Sequence, residues 1–205
     1  MLFHRKRMVA GLSAFLAFLL CLSPLQVKAG PIDDRVKAHL ALPIESNEIK
    51  GWPQGPKVSA KSAILMEANT GVILYAKNIH EKGYPASTTK LLTSLIAYEE
   101  CTLDEIVDFS HDAVFDTPYG SNHIAIDVGE QLTMEEALNA ILIRSANEVS
   151  FAVAEHIVDS HWSDFAPIMN ERAKELGCLN TNFVNPNGLP NENHYTGPVI
   201  VAFIS

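Results

Sequence analysis

Ser87 and Lys90, in the stretch Pro85-Ala86-Ser87-Thr88-Thr89-Lys90, are the residues of this chain best spaced for covalent chemistry. They lead into the apolar run Leu91-Leu92-Thr93-Ser94-Leu95-Ile96, which predicts a helix beginning here. Residues three apart on a helix share a face, so the Lys90 amine can sit beside the Ser87 hydroxyl. An amine so placed can take the hydroxyl proton and turn a weak nucleophile into an acylating one. The bland alternative is a plain helix start, with Ser87 capping through its side-chain oxygen and Lys90 a solvated charge.

A second constellation lies further along the chain. Ser145-Ala146-Asn147 offers another hydroxyl and an amide. Before it, Thr133-Met134-Glu135-Glu136 has the Thr-x-x-Glu form of a capping box, and Met134, Ala137, Leu138, Ile141 and Leu142 follow at helical spacing. After it, Val149, Ala152, Val153 and Ile157 repeat the helical period. Ser145 and Asn147 are therefore expected at a junction between two packed helices, where side chains project into a cleft. Helix capping by either residue is again the plain alternative.

The elements that must position these groups are legible in outline. Ala63-Ile64-Leu65-Met66 and Val72-Ile73-Leu74-Tyr75 flank Glu67-Ala68-Asn69-Thr70-Gly71, which predicts a β-hairpin. The helix after Ser87 carries Leu91, Leu92, Leu95 and Ile96 on one face and should be buried beneath that hairpin or between other helices. Residues 102–129 read as loops and short strands. Phe165, Met169 and Ala173 align on a further helix over residues 162–176, stopped by Gly177. Asn185-Pro186-Asn187-Gly188-Leu189-Pro190 reads as a turn.

Composition narrows the function classes. The chain has 205 residues, 47% hydrophobic and 19% charged, which suits one globular domain. Its start reads as a signal peptide over residues 1–29: His4-Arg5-Lys6-Arg7, an apolar core from Met8 to Leu22, and Val27-Lys28-Ala29 at a small-residue cleavage site. A retained span needs about 20 apolar residues, and Ser23-Pro24, Gln26 and Lys28 interrupt this run, so cleavage is expected. A lipoprotein signal ending at Cys21 would want small residues where Phe18-Leu19-Leu20 stand. Uncleaved, the signal would tether the chain to the membrane. Removing it takes away Arg5, Lys6, Arg7 and Lys28 and no acid, so the exported body is more negative by four charges than the −9 of the whole chain. Nucleic acid, which needs a basic footprint, is excluded as a partner. Cys101 and Cys178 remain, and export leaves both a disulfide and two free thiols open. No His-x-x-x-His or Cys/His ligand spacing occurs, His156 and His161 being five apart, so the spacing predicts no metal and no cofactor.

Ser-x-x-Lys after Pro-Ala, followed by Ser-x-Asn in Arg144-Ser145-Ala146-Asn147, resembles the penicillin-recognising serine enzymes, specifically the low-molecular-mass D-alanyl-D-alanine carboxypeptidases. The likeness extends over Ser59-Ala60-Lys61-Ser62-Ala63-Ile64-Leu65, Ala68-Asn69-Thr70-Gly71, Ala154-Glu155-His156-Ile157 and Phe183-Val184-Asn185-Pro186-Asn187-Gly188-Leu189-Pro190. It runs from about Val58 to Thr196. The resemblance implies an α+β fold of the β-lactamase/DD-peptidase kind, with helices packed on an antiparallel sheet. It implies Ser87 as the acylated nucleophile, Lys90 as its base, Ser145 as proton relay to the leaving amine, and Asn147 as holder of the substrate amide and the lysine. The Ser87 backbone N–H would form half of an oxyanion hole. The implied substrate is a peptidoglycan stem peptide ending in D-Ala-D-Ala, with β-lactams as inhibitors. Ser145-Ala146-Asn147 in place of Ser-Asp-Asn, and the Asn-Pro-Asn-Gly-Leu segment, separate the chain from class A β-lactamases.

The family's third motif, Lys-Thr-Gly, is not among these residues; Tyr195-Thr196-Gly197 lacks the lysine. That motif docks the substrate carboxylate and supplies the second oxyanion donor, so the resemblance implies an incomplete fold, with later strands missing, and impaired activity. The expected organisation is a signal over 1–29, a leader over 30–57, a partial catalytic domain over 58–196 and an out-of-family apolar tail over 197–205. The competing function is an exported, non-catalytic peptidoglycan-binding or interaction protein.

Overall fold

The computed structural model of the protein describes residues 31–198 and residue 202. The expected signal over 1–29 and most of the expected tail lie outside them. The chain divides into two compact units, Met1–Ala38 and His39–Ser205, and the second holds every described strand. None of the described helices is long and apolar enough to cross a membrane.

Helix α1 (Pro31–Ala41) is followed by a 3-10 turn, Glu45–Glu48, and then by the hairpin β1 (Ala63–Met66) and β2 (Ile73–Lys77). The strands are antiparallel, with Ala63 opposite Lys77 and Leu65 opposite Tyr75. Glu67 organises the turn: its carboxylate accepts from the Thr70 hydroxyl at 2.5 Å and from the backbone N–H groups of Thr70 and Asn69 at 2.7 and 3.1 Å. Those donors, Thr70 first, hold its pKa down to about 2.

Residues 46–56 of the segment read as a leader pack along β2. Ser46 Oγ accepts from Ala76 N–H, Trp52 Nε1 donates to Leu74 O, and the Tyr75 hydroxyl donates to Pro56 O. Lys77 is 1% exposed and its ammonium donates to three carbonyls, His39 O, Val58 O and Ala60 O, at 2.7–2.9 Å. One cation therefore satisfies three main-chain acceptors that no strand pairs. Lys77→Met is expected to lower stability by about 2–3 kcal/mol, since it strands those acceptors, and urea denaturation would measure it.

Helix α2 (Thr89–Glu100) lies among helices rather than beneath the hairpin, contacting α4 (Met134–Arg144), α5 (Asn147–Val158) and α6 (Phe165–Glu175). Leu92 and Ile96 bury against Phe165, Met169 and Ala173 of α6. Its Ala97 joins a second cluster with Val107, Phe109, Met134, Ile141, Val149 and Val153. Residues 102–129 hold one short strand, β3 (Ile106–Asp108), and also a helical turn, α3 (His111–Phe115), capped by Ser110. β3 pairs antiparallel with β4 (Gln131–Thr133). The capping box is present in full: Thr133 Oγ1 accepts from Glu136 N–H, and the Glu136 carboxylate accepts from Thr133 N–H. Cys101 and Cys178 are both free thiols.

Candidate active site

Ser87 sits exposed in a one-turn 3-10 segment, Ala86–Thr88, that feeds α2. It does not cap the helix. Thr88 holds the N-cap position without a side-chain cap bond, its hydroxyl donating instead to Pro85 O at 2.6 Å. Ala86 has φ +48°, a conformation that costs a non-glycine residue energy. The chain is thus held in a bent, unfavourable turn just before the hydroxyl.

Lys90, one turn in, is 2% exposed. Its Nζ lies 3.5 Å from Ser87 Oγ, a long contact, and donates to Asn147 Oδ1 at 2.7 Å and to Asn187 O at 2.6 Å. Burial pushes its pKa down to about 8, opposed by the nearby Glu148 carboxylate. The partners decide what the amine can do. Asn147 Oδ1 and Asn187 O are acceptors, so both require an N–H. A neutral amine has two N–H bonds and one lone pair. With both N–H bonds committed to the two carbonyls, the lone pair is left for Ser87.

At the second motif, α4 ends at Arg144, Ser145 adopts the left-handed conformation at φ +56°, and α5 begins at Asn147. The turn buries Ser145 Oγ without a hydrogen-bond partner, so the hydroxyl is bonded neither to Lys90 nor to Ser87. Asn147 N–H donates to Asn122 O at 3.0 Å, and the adjoining Glu148 Oε1 accepts from Ile124 N–H at 2.6 Å. Glu148 is 2% exposed and its Oε2 has no partner, so a carboxylate stands inside the domain within electrostatic reach of Lys90. Ser87, Lys90 and Asn147 are brought together by direct contacts through Lys90; Ser145 joins them only through the backbone of the junction.

The third wall comes from residues 185–190. Asn185 Oδ1 accepts from Gly188 N–H, Asn187 Oδ1 accepts from Leu189 N–H, and Asn185 Nδ2 donates to Leu189 O. This network aims the Asn187 carbonyl at Lys90. Further along, His194 is 1% exposed, and burial lowers its pKa to about 4. Its Nδ1 accepts from Val184 N–H at 3.2 Å, so the proton of the neutral ring is on Nε2, which donates to Thr89 Oγ1 at 2.8 Å. Thr93 Oγ1 donates to Pro186 O at 2.6 Å. Residues 89, 90 and 93 of α2 are therefore each fastened to the 186–194 segment. Tyr195 and Thr196 pair in turn with Asn182 and Gly83.

Sequence reading missed the roles of Asn187, Glu148, Thr89 and His194. A main-chain carbonyl has no sequence signature, and Glu148 reads as an ordinary acid in the first turn of a helix. The only signal was the Asn-Pro-Asn-Gly turn. Ala86 lines a cavity of about 400 Å³ with Leu189 and Pro190, and Thr88 lines one of about 580 Å³ with Lys82 and Tyr84.

Residues 50–205 match the family of D-alanyl-D-alanine carboxypeptidases, peptidase S11, and the chain belongs to that family. It is 40% identical over 148 residues to the D-alanyl-D-alanine carboxypeptidase DacF of Bacillus subtilis, an alignment covering 71% of this chain and 38% of the relative. The fold is similar to the D-alanyl-D-alanine carboxypeptidase DacD of Francisella tularensis, with TM-score 0.69, 28% identity and coverage of 77% and 38%. It is also similar to penicillin-binding protein 6B of Escherichia coli, with TM-score 0.70, 29% identity and coverage of 77% and 52%. The architecture is the α+β one of these penicillin-binding proteins. The chain spans about two fifths of the length of the curated relatives it matches.

Proposed function

We propose that this chain carries the acylating centre of a serine-type D-alanyl-D-alanine carboxypeptidase that acts on the extracytoplasmic side, on peptidoglycan stem peptides ending in D-Ala-D-Ala. Ser87 Oγ attacks the carbonyl of the penultimate D-Ala while its proton passes to the Lys90 lone pair. The tetrahedral oxyanion takes a hydrogen bond from the Ser87 N–H. The C–N bond then breaks, the departing amine of the terminal D-Ala receives a proton through Ser145, and water later hydrolyses the ester on Ser87. Asn147 holds both the amine and the substrate amide. The observation that carries this reading is the arrangement of Lys90, whose contacts with Asn147 Oδ1 and Asn187 O use both N–H bonds of the neutral amine and leave that form's lone pair for Ser87.

A β-lactam presents the same carbonyl and would acylate the same hydroxyl. After incubation of the 205-residue chain with a fluorescent penicillin, the labelled peptide is expected to contain Ser87, with no label in Ser87→Ala. A label elsewhere, or none at Ser87 beside retained binding to cell-wall sacculi, would favour the non-catalytic binding protein instead.

A further inference from the structure

We propose that Cys101, Glu105 and His156 form a binding site for one zinc-like divalent transition-metal ion, with a water molecule as fourth ligand. The three side chains come from the C-cap of α2, the approach to β3 and the last turn of α5, and their ligand atoms all lie within 4.8 Å of one another. One thiolate, one carboxylate and one imidazole around a single point are the donor types that borderline-soft cations take in tetrahedral sites.

The geometry needs little adjustment. His156 Nε2 and Glu105 Oε2 are 2.8 Å apart, and the edge of a tetrahedron with bonds of about 2.1 Å is about 3.4 Å. The pair must open by about 0.6 Å, while the sulfur closes by at most about 1.2 Å from the 4.8 Å limit, the edge to a sulfur bound at about 2.3 Å being about 3.6 Å. The backbone is already set: Cys101 N–H donates to Ala97 O, and Glu105 N–H closes a tight turn onto Thr102 O. The second carboxylate oxygen, Glu105 Oε1, accepts from Thr102 N–H at 2.6 Å, the kind of outer hydrogen bond that orients a ligating carboxylate.

Electrostatics favours a cation here. The last turn of α2 carries Glu99 and Glu100 and no basic residue, although carbonyls at a helix C-terminus already concentrate negative charge. Arg172 covers Glu99, and Glu100 stands directly beside Cys101 in the chain. Binding displaces the thiol proton to solvent and places a dication among these charges. All three side chains are part-exposed, so the ligand atoms are not sealed from solvent. The site would also have a structural consequence. α2 carries Lys90 at one end and Cys101 at the other, and α5 carries Asn147 at one end and His156 near the other. An ion would clamp the far ends of the two helices that meet at the catalytic amine. Spacing rules miss such a set because its ligands come from three separate elements.

Titration of the metal-free chain with Co²⁺ tests this. One equivalent is expected to produce sulfur-to-cobalt charge-transfer absorption in the near ultraviolet, absent in Cys101→Ser and unchanged in Cys178→Ser. His156→Gln and Glu105→Gln are each expected to weaken binding at least tenfold with far-ultraviolet circular dichroism retained, and Zn²⁺ to raise the melting temperature of the parent but not of Cys101→Ser. No charge-transfer band in the parent chain, or a band that survives in Cys101→Ser, overturns the proposal and leaves a hydrogen-bonded His–Glu pair beside an inert thiol.

Discussion

Lys90→Met is expected to cut the rate at which penicillin labels Ser87 by about 10³-fold, since a positioned base contributes about 10²–10⁴. Methionine keeps most of the apolar stem of the lysine and removes the amine. It also strands Asn147 Oδ1 and Asn187 O, so a stability loss of about 1–3 kcal/mol accompanies it, as for Lys77→Met. A far-ultraviolet circular dichroism spectrum unchanged at the assay temperature, beside a collapsed labelling rate, would separate catalysis from folding. The pH profile gives an independent reading of the same group. The reactive form is the neutral amine, and burial has brought its pKa to about 8. Below that value the neutral fraction falls tenfold per pH unit, so the parent's rate should climb with unit slope from about pH 6 and level off above about pH 8. Lys90→Met should lose that limb along with the rate. A flat profile over this range in the parent would remove Lys90 as the base, whatever the mutant's rate.

Local physics made part of this site legible. The Ser87–Lys90 spacing, the Thr133 capping box and the turn over residues 185–190 each depend on a few consecutive residues, and each was readable from residue types. The setting of Lys90 was not. Its acceptors lie 57 and 97 residues further on, and Thr89 meets His194 across 105 residues. The lysine reads as a surface charge because lysine is seldom buried. Only the packing of α2 among three other helices takes it out of water and brings its pKa toward neutrality. The motif supplied the groups; the tertiary contacts supply the chemistry. The same limit applies to Cys101, Glu105 and His156, which meet only when α2 and α5 pack.

Gly188→Ala is expected to be the most damaging small substitution in the domain. A Cβ at Gly188 would lie 1.8 Å from Ala86 O and 2.4 Å from Ala86 C, both backbone atoms, and 3.0 Å from Thr89 Oγ1. Neither side can give way cheaply. Moving the 185–190 turn breaks the Asn187 carbonyl's contact with Lys90, and moving Ala86 displaces a residue already at φ +48° immediately before the nucleophile. A loss of about 4 kcal/mol or more, the range reserved for core disruption or backbone strain, together with loss of Ser87 labelling, is the expected outcome. Gly177 supplies the control. It has φ +83°, against +82° at Gly188, but nothing lies within 4 Å of its would-be Cβ. Gly177→Ala should therefore incur only the left-handed strain, about 1–2 kcal/mol, and leave labelling intact. The difference between the two variants in a denaturant titration isolates the steric term. Equal losses would mean that the close approach of the turn to the Ala86 carbonyl does not hold Ser87 in place, and that the strained bend is maintained by α2 alone.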